Sequence, residues 1–371
     1  MLVGIPREIK NHEYRVAVTP AGVSELTRRG HDVVVEQGAG LGSAIADDEF
    51  ALAGARILPS AEAVWAEAEM VMKVKEPVGP ELDCMREGQL LFTYLHLAAS
   101  PECTQALLDH KVTAIAYETV QSADGTLPLL SPMSEVAGRL AAQVGAYHLM
   151  RPFGGRGVLL GGVPGVDGAK VVVIGGGVAG ENAAVIAAGM RADVFVLDRS
   201  VPRLRDLETR YGDRMHTVAS SQLAVEEHVR SADLVVGAVL VPGARAPKLV
   251  SNELVAQMKP GSVLVDISID QGGCFADSRP TTHAEPTYRV HESVFYCVAN
   301  MPGAVPNTST RALSNVTLPY ALALADQGIG ALATDPALAK GLNTIAGQVV
   351  YEPVAQAHGL PLASAAEIMA V

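Results

Sequence analysis

The chain has 371 residues, 49% of them hydrophobic but only 4% aromatic, and a formal net charge of −12. That length exceeds one ordinary core and points to two domains, while the acidic balance, with no basic block, excludes a phosphate-neutralising nucleic-acid surface. The four cysteines, Cys84, Cys103, Cys274 and Cys297, are scattered without a C-x-x-C pair, so neither a metal site nor a disulfide framework is expected, and free thiols fit a reducing cytoplasm.

The N-terminal "MLVGIPREIK" is charged by residue 7 and has no apolar h-region, so it does not read as a signal peptide. Strands are expected at 2–5, 33–36, 70–74, 90–95 and 113–116, with helices near 21–29, 61–66 and 101–109. A long helix should run from Ser131 to about Met150, with Ser131 as its cap and Pro132 in its first turn. Further strands are expected at 171–174, 194–197, 233–239, 262–267 and 295–298. From residue 308 the pattern is mainly helical, and Pro319 should end or kink the second long helix. No run of about 18 apolar residues is present, so no membrane span is expected. Short β-branched runs alternating with helices read as α/β with parallel sheets. The simplest architecture is a Rossmann dinucleotide-binding domain, 131–305, inserted into a Rossmann-like α/β substrate domain made of 1–130 and 306–371. Two long helices would link them.

The stretch "KVVVIGGGVAGENAAVIAAGMRADVFVLD" holds Gly175, Gly177 and Gly180 in a G-x-G-x-x-G pattern. The pattern alone is weak in a chain with 36 glycines, but its context is specific. A buried strand precedes it, an alanine-rich helix follows, and a second strand ends in Asp198. Gly175 would allow the sharp turn, Gly177 the approach of a pyrophosphate, and Gly180 close helix packing. Asp198 is placed to accept hydrogen bonds from an adenosine ribose.

Polar residues just past strand ends are the next candidates, because ligands bind at the carboxyl ends of parallel strands. Arg7 and Arg15 follow the first strand, Lys75 follows 70–74, His96 follows 90–95, Asp270 follows 262–267 and Asn300 follows 295–298. Two cations, an imidazole and a carboxylate beside a nicotinamide suit hydride transfer from a carbon next to a carboxylate. An arginine fork grips the carboxylate, a lysine polarises a second oxygen, and a histidine moves the proton.

Long blocks now carry a resemblance: "GIPREIKNHEYRVAVTPAGV", "KVKEP", "LFTYLHLAAS", "PMSEVAGRLAAQVGAYHL", "VVVIGGGVAGENAA", "VDISIDQGGCFADSRPTTH" and "YCVANMPGAVPNTST". Nearly end to end, the chain resembles the alanine dehydrogenase family, which includes the NAD-binding subunit of proton-translocating transhydrogenase. The resemblance implies reversible oxidative deamination of L-alanine with NAD+ to pyruvate, ammonium and NADH. It implies that Arg15 and Lys75 bind substrate and that His96 and Asp270 act as acid–base groups. It places the cofactor on Ser134, Val178, Ala179, Asp198, Arg203 and Ser220. To these it adds the backbone of Val239, Leu240, Ile267, Ser268, Ile269, Asp270, Val298, Ala299, Asn300 and Met301. It also implies a homohexamer.

Three other readings stay open on the residues: a transhydrogenase subunit, a catalytically silent NAD sensor, and a dehydrogenase of another small amino or hydroxy acid. Asp198 should repel a 2′-phosphate, although Arg199, Arg203 and Arg205 lie close enough to screen it and allow weak NADP use.

Overall fold

A computed structural model describes residues 1–239 and 246–369. The chain divides into two compact units, one of Met1–Met133 with Val305–Val371 and the other of Ser134–Ala304. In chain order the strands are β1 (Leu2–Ile5), β2 (Asp32–Glu36), β3 (Arg56–Leu58), β4 (Met70–Met72), β5 (Leu90–Thr93), β6 (Thr113–Ala116), β7 (Lys170–Ile174) and β8 (Asp193–Asp198). They continue with β9 (His216–Ala219), β10 (Leu234–Gly237), β11 (Val263–Asp266), β12 (Thr287–Val290), β13 (Ser293–Tyr296), β14 (Leu342–Ile345) and β15 (Gln348–Val349).

The first unit holds a sheet in the order β15-β14-β6-β5-β4-β1-β2-β3, and the second a sheet in the order β12-β13-β11-β10-β7-β8-β9. Strands β1–β6 pair in parallel, as do β7–β11 and β13. Antiparallel strands, β14 and β15 in one sheet and β12 in the other, extend one edge of each. Without those edges both sheets have the doubly wound order 3-2-1-4-5-6. The fold is therefore two Rossmann-like α/β units, the second inserted into the first.

Burial on both faces explains why the central strands are so apolar. In β7, Val171 and Val173 pack into one core while Val172 and Ile174 pack into another. Leu234 and Val236 of β10 divide from Val235 in the same way. A separate core in the first unit includes Trp65, Val71, Leu91, Leu107 and Ala114. All four cysteines are free thiols: Cys103, Cys274 and Cys297 are buried, whereas Cys84 is half-buried.

Two details of the long helices differ from expectation. The first spans Ser131–His148, and Ser131 lies inside it, its hydroxyl donating to the Leu127 carbonyl at 2.9 Å instead of capping N–H groups. It ends at His148, in keeping with an expected end near Met150. The second spans Pro306–Gln327, and Pro319 does not end it. One lost hydrogen bond is outweighed by burial on either side, of Leu313, Ser314 and Thr317 before the proline and Ala321, Leu322 and Leu324 after it.

Candidate functional site

In the second unit β7 runs into the glycine turn. Gly175 has φ +100, and a Cβ there would lie 2.6 Å from the Ala238 carbonyl oxygen, so only glycine fits. A Cβ at Gly180 would lie 1.8 Å from the Gly175 carbonyl oxygen. Gly177 differs. It precedes the helix Val178–Gly189 with an ordinary φ of −67, and among the described residues a Cβ there would meet nothing within 4 Å. The protein's own packing does not demand a glycine at this position. An open position at a helix N-terminus, among unpaired N–H groups, is what a pyrophosphate needs.

Gly176 between them is held at both of its backbone polar groups. Its N–H donates to Asp198 Oδ2 at 2.7 Å, and its carbonyl accepts from Arg203 Nε at 2.6 Å. Asp198 ends β8, and its other oxygen accepts from the Ser200 N–H at 2.7 Å. The Asp198 carbonyl accepts from the Ser220 N–H at 2.9 Å, which brings the residue after β9 alongside. Gly138 of the long helix packs against the same helix start, where a Cβ would lie 2.1 Å from the Ala179 carbonyl oxygen. Ser134, one turn earlier, lies on that helix face.

Past β10 and β11 the chain is tied together by Ser268, whose hydroxyl donates to the Val239 carbonyl at 2.8 Å. Leu240 lies outside the described residues. The short turn Ile267–Gln271 exposes Asp270, while Asp266 beneath it is fully buried. Asp266 accepts the N–H groups of Ser268 (3.0 Å) and Cys274 (2.9 Å) and the Ser278 hydroxyl. Burial pushes its carboxyl above the ordinary aspartate value, only partly opposed by those donors. Past β13, Asn300 sits at φ +64, a strained conformation that asparagine tolerates better than most residues. Its carbonyl accepts from the Gly303 N–H at 2.9 Å. Gly175, Asp198, Ser220, Val239, Asp270 and Asn300 all follow parallel strands of one sheet, and so share its carboxyl edge.

In the first unit the corresponding edge is charged. Lys73, immediately after β4, is fully buried between Glu8 (3.1 Å) and Glu81 (2.7 Å). Burial drives its ammonium pKa down, but the two carboxylates outweigh that and hold it above the ordinary lysine value. Two carboxylates share one lysine, and burial raises the Glu8 carboxyl despite the pairing. Glu8 also accepts the Val74 N–H at 2.6 Å and the Lys75 N–H at 3.4 Å, which fixes the backbone that carries Lys75. Lys75 itself is half-buried.

Arg15 is almost fully buried, and Glu13 holds its Nε and Nη2 at 2.6 and 2.5 Å. Burial opposes its charge, but the Glu13 carboxylate more than offsets it. The Nη1 edge points to the Met133 sulfur at 3.1 Å. His96 follows β5 at φ +48 with its side chain 44% exposed. Its N–H donates to Glu118 Oε1 at 2.6 Å, and its ring stacks on Tyr94 with centroids 6.0 Å apart. Tyr94 is buried, donates to the Leu129 carbonyl at 2.5 Å, and feels the Arg15 charge.

Glu8, Glu13, Lys73, Glu81, Glu118 and Asp266 were invisible in the sequence. Each is a charged residue whose significance rests on a partner or on burial, neither of which spacing reveals. Among the described residues, no group of three or more His, Cys, Asp or Glu side chains is arranged to hold a metal ion, and no helix is long and apolar enough to cross a membrane.

A glycine turn at the switch point of a doubly wound sheet, an open helix start and an acidic residue ending the next strand define a dinucleotide-binding α/β protein. Residues 4–137 match the family described as "Alanine dehydrogenase/PNT, N-terminal domain", and residues 141–352 match its C-terminal domain. The chain is 65% identical to the alanine dehydrogenase of Mycolicibacterium smegmatis over the full length of both. A solved L-alanine dehydrogenase matches with a TM-score of 0.94 and 53% identity, over 97% of this chain and 99% of that one. A transhydrogenase from Sinorhizobium meliloti matches with a TM-score of 0.80 and 27% identity, over 95% and 99%. The chain belongs to the alanine dehydrogenase/PNT family.

Proposed function

We propose that the chain is an NAD-dependent oxidoreductase that reversibly converts L-alanine and water to pyruvate and ammonium, with release of a proton. The observation that carries this reading is 65% identity, across every residue, to a chain named alanine dehydrogenase. The open Gly177 position supports the cofactor. NAD+, when bound, supplies the acceptor for the hydride that leaves the alanine Cα.

Arg15 receives the substrate carboxylate. Glu13 occupies its Nε–Nη2 edge and so orients the guanidinium as a fixed fork. Lys75 neutralises a second substrate oxygen. His96 and Asp270 move protons on the amine and the attacking water. Asp198 keeps a second lone pair on each carboxylate oxygen for a ribose hydroxyl. Arg203 supports the turn beside it, and Gly175, Gly177, Val178, Ala179 and Gly180 form the pyrophosphate cradle. Ser134, Ser220, Val239, Leu240, Ile267, Ser268, Ile269, Val298, Ala299, Asn300 and Met301 complete the cofactor contacts. Residues 1–130 and 306–371 serve the substrate and 131–305 the cofactor. The enzyme works in the cytoplasm as a homohexamer.

The test is absorbance at the NADH band, first with L-alanine and NAD+, then with pyruvate, ammonium and NADH. NADH formation in one direction and its consumption in the other are expected. NADH binding with no turnover of any amino or keto acid would replace this reading with an NAD sensor.

A further inference from the structure

Beside the glycine turn lies a cluster of charges that the chemistry above does not use. Arg203 donates to the Gly176 carbonyl through Nε, to Asp206 through Nη1 at 2.5 Å and to Glu181 through Nη2. Glu181 also accepts from the Tyr211 hydroxyl at 2.6 Å and from Arg210 Nη1 at 3.2 Å. Arg210 in turn reaches Asp206 at 3.0 Å. Two carboxylates thus balance two guanidinium groups at the mouth of the helix Val178–Gly189.

This changes how the arginines near Asp198 are read. Arg203 is no uncommitted counter-charge, because Glu181 and Asp206 neutralise it and three of its five N–H donors are engaged. Glu181 is the less exposed of the two acids, with 13% of its side chain accessible against 38% for Asp206, and is less screened by water. Burial would raise its carboxyl pKa, but the Tyr211 and Arg203 hydrogen bonds and the two arginine charges outweigh this and hold it lowered. It stays ionised.

Glu181 also lies in the first turn of its helix, where an acid favours the dipole, but the dipole does not involve its contact with Arg203. Arg203, fixed by Glu181, holds the carbonyl of the same residue, Gly176, whose N–H is held by Asp198. The position of the turn and the charge around the ribose-reading carboxylate are therefore set together. We infer that Glu181 is a positioning and specificity-determining residue. Through Arg203 it locks the backbone at Gly176, and its charge keeps the neighbourhood of Asp198 closed to a 2′-phosphorylated dinucleotide.

This rests on the NAD reading above, and the experiment separates the two. NADH and NADPH are titrated into the full-length enzyme by fluorescence, with wild type, Glu181→Gln, Glu181→Asp, Asp206→Asn and Tyr211→Phe compared. In Glu181→Gln the preference for NADH over NADPH should narrow by about tenfold or more, since a repulsive element is removed and a cation is released. Glu181→Asp, which keeps the charge, should restore most of the preference. Asp206→Asn should shift it in the same direction by less. Tyr211→Phe removes a hydrogen bond but no charge, and should move the ratio by less than about twofold. If Glu181→Gln does not fold, Asp206→Asn still tests the direction. Equal weakening of both nucleotides, or an unchanged ratio in both acid variants, would overturn the inference and leave Glu181 as a helix brace. Failure of wild type to bind NADH at all would overturn the NAD reading instead.

Discussion

The two units share one strand order and use its crevice in opposite ways. In the second unit the strands at the switch point, β7 and β10, are followed by uncharged backbone. Gly175 sits against the Ala238 carbonyl, and the next helix starts at once, at Val178. In the first unit the same place, between β1 and β4, is filled by protein. Glu8 follows β1, Lys73 follows β4, and the two meet at 3.1 Å. The next helix does not start until Pro20, capped by Thr19. Among the described residues, one crevice is bordered by backbone, and the other carries a charged pair. The same topology therefore supports the proposed nucleotide cradle or a charged floor, depending on the few residues after two strands.

The contrast can be broken most violently in the first unit. Lys73→Met should destabilise the protein by about 3–5 kcal/mol, because Glu8 and Glu81 would remain buried without their cation. Denaturant unfolding measures this, and a loss below about 1 kcal/mol would mean the triad is not the floor described.

Lys75→Ala tests the substrate contact proposed for this residue. The KM for alanine and pyruvate should rise about ten- to a hundredfold, as for a lost hydrogen bond to a charged group, with NADH affinity nearly unchanged. Loss of NADH binding in a folded variant would reverse the proposed division of labour between the units.

In the second unit the glycines sharpen the comparison. Gly177→Ala should cost about 1 kcal/mol or less in stability, that of a poorer helix cap. NADH binding should still weaken about tenfold or more, as for one methyl group too many in a tight site. Gly180→Ala should instead lower the melting temperature, since its Cβ has no space. Equal behaviour of the two variants would remove the case for an open cradle at Gly177.

The smallest effect is electrostatic. Burial raises the folded-state pKa of Glu8 above its ordinary 4.5. Between that pH and its folded value the native state holds a proton that the unfolded chain has released, so this group's contribution to stability is lost as pH rises through that window. Relative to wild type, Glu8→Gln should gain stability with rising pH above 4.5, by less than about 1.4 kcal/mol per pH unit. A difference independent of pH in thermal melts would show that Glu8 is ionised throughout.

What the sequence disclosed follows from the same physics. Strands such as β7 and β10 were legible because both faces are apolar, whereas β9, "HTVA", has no buried residue and β3 is three residues at a sheet edge. Strand β14 was missed because Asn343 and Thr344 are buried polar residues, satisfied by Thr119 Oγ1 at 2.9 Å and the Val112 carbonyl at 3.0 Å. In the site, a glycine spacing and an acid at a strand end are local signals and could be read directly. Lys73 could not, because its partner Glu8 lies 65 residues away, and neither could the double grip on Gly176.

The cysteines described above make the molecule its own unfolding recorder. Burial pushes the Cys103 thiol up to about 12 and the Cys297 thiol up to about 11, and raises Cys274 as well. All three are shielded from alkylation while the structure around them holds. Cys103 lies in the first unit, Cys274 and Cys297 in the second. A pulse of thiol reagent during denaturation, read by peptide mass, would show which unit opens first, with half-buried Cys84 as the internal standard.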